Sequence, residues 1–192
     1  GFDLGFFIMR AHNDRNDQGY RAYANGYEPS VYVWLRWLRA VYRQHEPQAV
    51  TIGSVPQGQR LAAVVTFDVD YVKSMGNLLA YRDLLVREGI PATFFLQTKY
   101  YRDFQDEGFF NDRTLAAMDA LVAAGMEIAS HSVSHSDIYA SLPLGDGSEQ
   151  YPTYQPRVRA LGDTQGATVM GELRVSRFLL EQLTGRSVVS VR

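Results

Sequence analysis

From residue 61 onward, short apolar runs alternate with segments of helical period, and each such segment closes on a glycine. The runs cover 61–67, 91–96, 126–129 and 187–191. Apolar stretches of that length, without polar alternation, read as strands buried on both faces. Between them lie three predicted helices. One covers 77–88, with Leu78, Tyr81, Leu84 and Leu85 on its apolar face and Gly89 at its end. The second carries Leu115, Met118, Leu121 and Val122, with Thr114 as its cap and Gly125 as its stop. The third covers 167–183 and ends at Gly185. Strand–helix alternation of this kind builds a parallel sheet with right-handed crossovers, so the predicted fold class is α/β.

In parallel α/β architectures chemistry sits at the carboxyl ends of the strands. The first run ends in Thr66-Phe67-Asp68-Val69-Asp70, and the third leads into Ser130-His131-Ser132-Val133-Ser134-His135. Two acids grouped at a strand end are costly unless a cation or a proton-transfer task uses them. One carboxylate with two neutral imidazoles suits a divalent ion and leaves positions open for water and substrate. Water beside such an ion is a usable nucleophile near neutral pH. The second carboxylate could then take its proton. Strand-end capping by Asp68 and Asp70, and exposed or capping roles for the histidines, are the plainer readings. Asp-x-Asp also fits haloacid-dehalogenase-type phosphatases, with Asp68 as nucleophile, Asp70 as acid/base and Gly145-Asp146-Gly147 imitating part of a later motif. It occurs in nucleotide-sugar glycosyltransferases too. Neither alternative uses His131 and His135. His12 and His45 have no partner pattern and read as surface or packing residues.

A chain of 192 residues can bury a sizeable core, and its division is predicted as an extension over 1–60 and a domain over 61–192. A net charge of -2 supplies no basic field for nucleic acid. Zero cysteines exclude disulfides, thiolate metal sites and a cysteine nucleophile. The apolar residues 2–9 fall well short of the roughly 20 needed to span a bilayer. Because the first residue is Gly1 rather than Met, the chain is expected to be part of a longer polypeptide. Within the extension, the polar cluster 13–19 reads as a turn, since Asn25 stands where a calcium loop closes with a bidentate Glu. A helix is predicted over 29–45, with Val31, Leu35, Leu38 and Tyr42 on one face and Arg36, Arg39 and Arg43 on another. With Trp34 and Trp37 it could make a peripheral membrane or protein contact, or simply pack on the domain. Gly and Pro at 53–58 read as a connector. The segment 137–164 is long for a connection of this type, and its Tyr139, Tyr151 and Tyr154 either stack on the rings of a ligand or stabilise the loop.

Several of these segments together resemble the polysaccharide deacetylases, carbohydrate esterase family four, whose catalytic unit is the NodB homology domain. Thr66-Phe67-Asp68-Val69-Asp70 is similar to the family's first motif and His131-Ser132-Val133-Ser134-His135 to its second. Ala92-Thr93-Phe94-Phe95 and Gly125 to His131 are similar to the segments around those motifs, and Val191-Arg192 to the opening of the third. Val69 separates two aspartates that are adjacent in the family's most frequent pattern. The resemblance covers about 61–192 and implies the first part of a distorted (β/α) barrel, incomplete at its C-terminus. It implies a hydrolase that removes N-acetyl groups from a polysaccharide or peptidoglycan-type glycan. Asp70, His131 and His135 would be its metal ligands, Asp68 its base, and Arg192 the residue that holds Asp68 by an ion pair. The implied cofactor is zinc, with cobalt, nickel or iron(II) as alternatives, and the implied location is extracytoplasmic, in the periplasm or cell envelope. The remainder of the third motif and the later acid histidine do not occur before residue 192. The contrasting expectation is a non-catalytic carbohydrate-binding or scaffold module on a degenerate form of this fold.

Overall fold

The computed structural model describes residues 30–50, 59, 63–102, 107–158 and 166–192. The turn cluster 13–19, the connector 53–58, His12 and the first two residues of the run 61–67 lie outside them. The chain divides into two compact units, Gly1–Ala62 and Ala63–Arg192. In the first, helix α1 spans Ser30–His45, with Arg43 and His45 in its last turn, where the helix dipole favours positive charge. Trp34, Leu35, Trp37, Leu38 and Tyr42 are all exposed, and the two indoles meet edge to face at 5.9 Å. The side chain of Val31 is outside the described set.

The second unit runs through β1 (Thr66–Val69), α2 (Met75–Glu88), β2 (Thr93–Leu96), α3 (Asp112–Ala123), β3 (Glu127–Ser130) and α4 (Val169–Thr184). Short 3-10 turns at Val72–Ser74 and Tyr139–Ser141 precede α2 and α4. The strands are parallel in the order β1-β2-β3, as the alternation predicts. Phe94 and Leu96 of β2 are fully buried among Leu78, Leu85, Met118, Leu121, Ile128 and Leu180. Phe94 also stacks on Phe67 of β1 at 4.8 Å. In α2, Leu78 and Leu85 face this core while Tyr81 and Leu84 are exposed, Tyr81 lying against the Phe67 ring.

Left-handed glycines end three helices, Gly185 after α4 and two others that share one closure. Gly89 and Gly125 adopt positive φ of 65° and 75°. After each, the chain doubles back so that Ile90 N–H bonds Leu85 C=O and Met126 N–H bonds Leu121 C=O. With the Gly89-to-Val86 and Gly125-to-Val122 bonds, these are Schellman closures, which deliver the chain straight into β2 and β3. At the other end of α3 the expected cap is corrected. Asn111, not Thr114, is the N-cap, and its Oδ1 accepts from Thr114 N–H at 3.0 Å. Thr114 sits three residues in and is buried. An Asx side chain at the N-cap reaches that third N–H, which explains the shift.

Two strand boundaries also differ from the sequence reading. The first strand starts at Thr66, and Val64 before it is exposed. Strand β1 pairs with β2 on one side and, among the described residues, with no strand on the other. The expected strand 187–191 reduces to one parallel bridge between Ser130 and Val191. Ser130 N–H donates to Ser190 C=O and Arg192 N–H to Ser130 C=O, each at 3.0 Å. Val188 is buried while Val189 and Val191 are exposed.

Register decides where the chemistry falls. Val69, Leu96 and Ser130 stand on one rung. Asp70, Gln97 and His131 therefore follow at the same rim, with Gln97 N–H still bonded to Val69 C=O and His131 N–H to Leu96 C=O. Two strand spacings put the Asp70 and His131 backbones about 10 Å apart, a gap that two side chains can close from either side.

Candidate metal centre

Those side chains do close it. His131 Nε2 lies 3.1 Å from Asp70 Oδ1, and His135 Nε2 lies 3.9 Å from the same oxygen. The three ligand-type atoms all fall within 4.8 Å of one another. His131 Nδ1 is 2.8 Å from the backbone carbonyl oxygen of Arg192, which accepts only if Nδ1 carries the proton. In the neutral tautomer that leaves the Nε2 lone pair facing Asp70. Asp70 Oδ1 is buried and has no hydrogen-bond partner. A buried carboxylate oxygen opposite an imidazole lone pair is unfavourable unless a cation lies between them. Donor atoms around one tetrahedral ion sit about 3.3–3.6 Å apart, given metal–ligand lengths of about 2.0–2.2 Å. The observed separations bracket that range, and one oxygen with two nitrogens is a donor set for a borderline divalent ion.

The turn that carries His135 back toward His131 is held in an uncommon backbone form. Ser132 and His135 have φ of 60° and 47°, in the left-handed region. Non-glycine residues persist there when their surroundings over-determine them. Ser132 N–H donates to Ser130 Oγ at 3.2 Å, and His135 N–H to Ser132 Oγ at 3.0 Å. Between them, Val133 and Ser134 N–H both donate to Oε2 of Glu172, at 2.9 and 2.7 Å. Glu172 was not identified from sequence. A glutamate in the first turn of a helix ordinarily reads as an exposed partner of the helix dipole, and nothing local marks this one as fully buried.

Asp68 lies in β1 two residues before Asp70, and Arg192 Nε is 3.5 Å from its Oδ2. The Arg192 guanidinium also donates to Thr66 Oγ1 at 2.9 Å. Arg192 is 57% and Asp68 34% exposed at the side chain, so water screens this pair and its effect is orientation rather than stability. Beside the imidazoles a cavity of about 510 Å³ is walled by Tyr139, Val169, Leu173 and Val191. Burial, and then the charge of Glu172, raise the pKa of Tyr139. Of the other loop tyrosines, Tyr154 is buried and donates to Oε1 of Glu172 at 2.9 Å, which makes it a loop anchor. Burial first, and Glu172 next, push its phenol well above the usual tyrosine range. Tyr151 stands edge-on to Tyr100 at 5.3 Å. His45 closes α1, in the other unit.

Parallel βα units with an Asp–His–His group at one rim define an α/β protein with a candidate metal centre. The sequence profile of the polysaccharide deacetylase family matches residues 56–192, and the chain belongs to that family. This match displaces the phosphatase reading of Asp68 and Asp70. Two solved structures are similar to the chain. One is a mutant of BA3943, a CE4 family pseudoenzyme with restored enzymatic activity. It is 16% identical with a TM-score of 0.44, over 67% of this chain and 35% of that one. The other is the Streptococcus pyogenes deacetylase PplD in complex with acetate, 16% identical with a TM-score of 0.42, over 79% of this chain and 50% of that one. The chain thus spans a third to a half of their length. A comparison with curated proteins found no match.

Proposed function

We propose that this chain carries the metal-binding part of an active site that removes N-acetyl groups from a polysaccharide or peptidoglycan-type glycan. The observation that carries the reading is the convergence of Asp70 Oδ1, His131 Nε2 and His135 Nε2 on one point, with the carboxylate oxygen buried and unpartnered. These three residues would hold a divalent ion, zinc by preference, with cobalt, nickel or iron(II) accepted by the same donors. When bound, the ion supplies a Lewis acid that polarises the amide carbonyl and acidifies water.

The remaining steps belong to the protein. Asp68, on the same rim, takes a proton from the attacking water as general base. Arg192 turns that carboxylate through its Nε contact and is itself braced by Thr66. The backbone carbonyl of Arg192 fixes the His131 ring, so one residue orients both the base and a ligand. The cavity next to the imidazoles offers apolar walls to the substrate while its polar side faces the ligands. Water adds to the acetyl carbon, the proton taken up by Asp68 passes to the amide nitrogen as the C–N bond breaks, and acetate and a sugar amine leave. We propose a location outside the cytoplasm, in the periplasm or cell envelope, where such a substrate would be met. Among the described residues no helix is long and apolar enough to cross a membrane.

The test is acetate release from chitooligosaccharide, by this chain and by a version extended past Arg192. Chelation is expected to abolish release and zinc to restore it. Asp68→Asn is expected to lower the rate at least about 100-fold, the usual span for a lost general base, with zinc affinity unchanged. Equal release by wild type and Asp68→Asn removes Asp68 as the base. Glycan binding without any acetate release favours the non-catalytic module instead.

A further inference from the structure

We propose that Glu172 is a positioning residue of this centre, acting through His135 and tying the metal-binding turn to the rim segment 142–158. The inference rests on the metal reading above and concerns how the ligand geometry is kept.

Glu172 is the fourth residue of α4 and has no exposed surface. Its Oε2 accepts from two consecutive backbone N–H groups, Val133 and Ser134. Its Oε1 accepts from the Ser134 hydroxyl at 3.0 Å and the Tyr154 phenol at 2.9 Å. Four donors thus converge on one carboxylate, which is its full acceptor capacity. Successive N–H groups beside left-handed residues form a concave anion site, and here the anion is a side chain of the protein. Val133 and Ser134 are themselves buried, so without Glu172 their N–H groups would have neither protein nor water to bond.

The two imidazoles depend on this support unequally. His131 leaves the end of β3 and is oriented independently by the Arg192 carbonyl. His135 hangs on the strained turn, is 44% exposed at its side chain, and already stands 3.9 Å from Asp70 Oδ1. Relaxing the turn therefore moves His135 first. On its other side Glu172 holds Tyr154, whose ring lies against the α4 backbone at Gly171 and whose carbonyl accepts from Tyr100. The segment that carries Tyr154 and the turn that carries His135 consequently share one carboxylate.

Zinc affinity, measured by competition with a chromophoric chelator, tests this on wild type, Glu172→Gln, His135→Ala and the double variant. Glu172→Gln keeps the size but removes one acceptor and adds a donor. Its affinity is expected to fall about 10- to 100-fold, the usual effect of a lost outer-shell partner. Because Glu172 acts through His135, the double variant is expected to bind no more than about threefold more weakly than His135→Ala alone. A general structural role predicts instead that the two losses multiply, and that outcome overturns the proposal. So does a folded Glu172→Gln with wild-type affinity. Should Glu172→Gln not fold by circular dichroism, Ser134→Ala and Tyr154→Phe each remove one of the four bonds. Weakened zinc binding in both supports the role, and unchanged binding in both overturns it. A wild type that binds no zinc removes the metal reading itself, and this inference with it.

Discussion

A Cβ at position 171 would fall 2.0 Å from Cε2 of Tyr154 and 2.5 Å from Cζ. The phenol is packed against the helix backbone at the one place on that face where no side chain projects, and this close approach lets its hydroxyl reach Glu172. Gly171→Ala should therefore destabilise the fold by about 1–3 kcal/mol through overpacking, although alanine is the better helix former by about 1 kcal/mol. Denaturant unfolding of the two proteins measures the difference, and a stabilised variant would show that the ring has room to move. At this scale the sequence was legible where residue types are chemically unusual. Aspartates and histidines at strand ends stand out because their burial needs a reason. Glu172 did not stand out, because its partners are Tyr154 and the distant turn residues Val133 and Ser134, tertiary contacts without local trace. Tyr154 was ambiguous for the same reason, since stacking on a ligand and anchoring a loop ask for the same side chain.

Helix ends were legible where the chain uses left-handed glycines, and less so where a polar side chain caps from outside the helical pattern. Asn111 precedes the periodic residues of α3 by enough that the nearer Thr114 looks like the cap. Thr168 shows the same device on α4, accepting from Gly171 N–H at 2.9 Å, and its hydroxyl also donates to Glu149 at 2.6 Å. That bond, followed by those to backbone N–H groups, holds the Glu149 carboxyl below its usual 4.5. The native state thus binds this proton less readily than the unfolded chain. The stability it contributes is complete above pH 4.5 and is lost as pH falls through the lower, folded value. Glu149→Gln should accordingly be less stable than wild type near pH 7, with the gap in melting temperature closing below about pH 4.5. A gap that stays constant across this range would show that the Thr168 bond carries no charge dependence. The fourth strand failed as an element for a different reason. Val188 turns inward and Val189 outward, and contact with β3 is confined to the single bridge at Val191 with the backbone bonds of Ser130 to Ser190 and Arg192 on either side of it.

For the molecule as a whole, the parallel α/β class followed from the alternation of buried runs and helices, and the family profile over 56–192 begins close to the boundary expected near 61. What the alternation could not supply is the rung on which each strand stops. Shifting β1 against β2 by one residue would turn Asp70 to the opposite face of the sheet and part it from His131. The pairing of Val69, Leu96 and Ser130 brings Asp70 and His131 to one rim, and it depends on the Phe67–Phe94 and Leu96 packing beneath. Anomalous scattering at the zinc edge, from crystals of the wild-type protein grown with zinc, reads that convergence in one map. A single peak within about 2.3 Å of Asp70, His131 Nε2 and His135 Nε2 is expected, and it should vanish in His131→Ala. A peak bound by other residues, or a zinc-saturated protein with none between these three side chains, would contradict a shared ion.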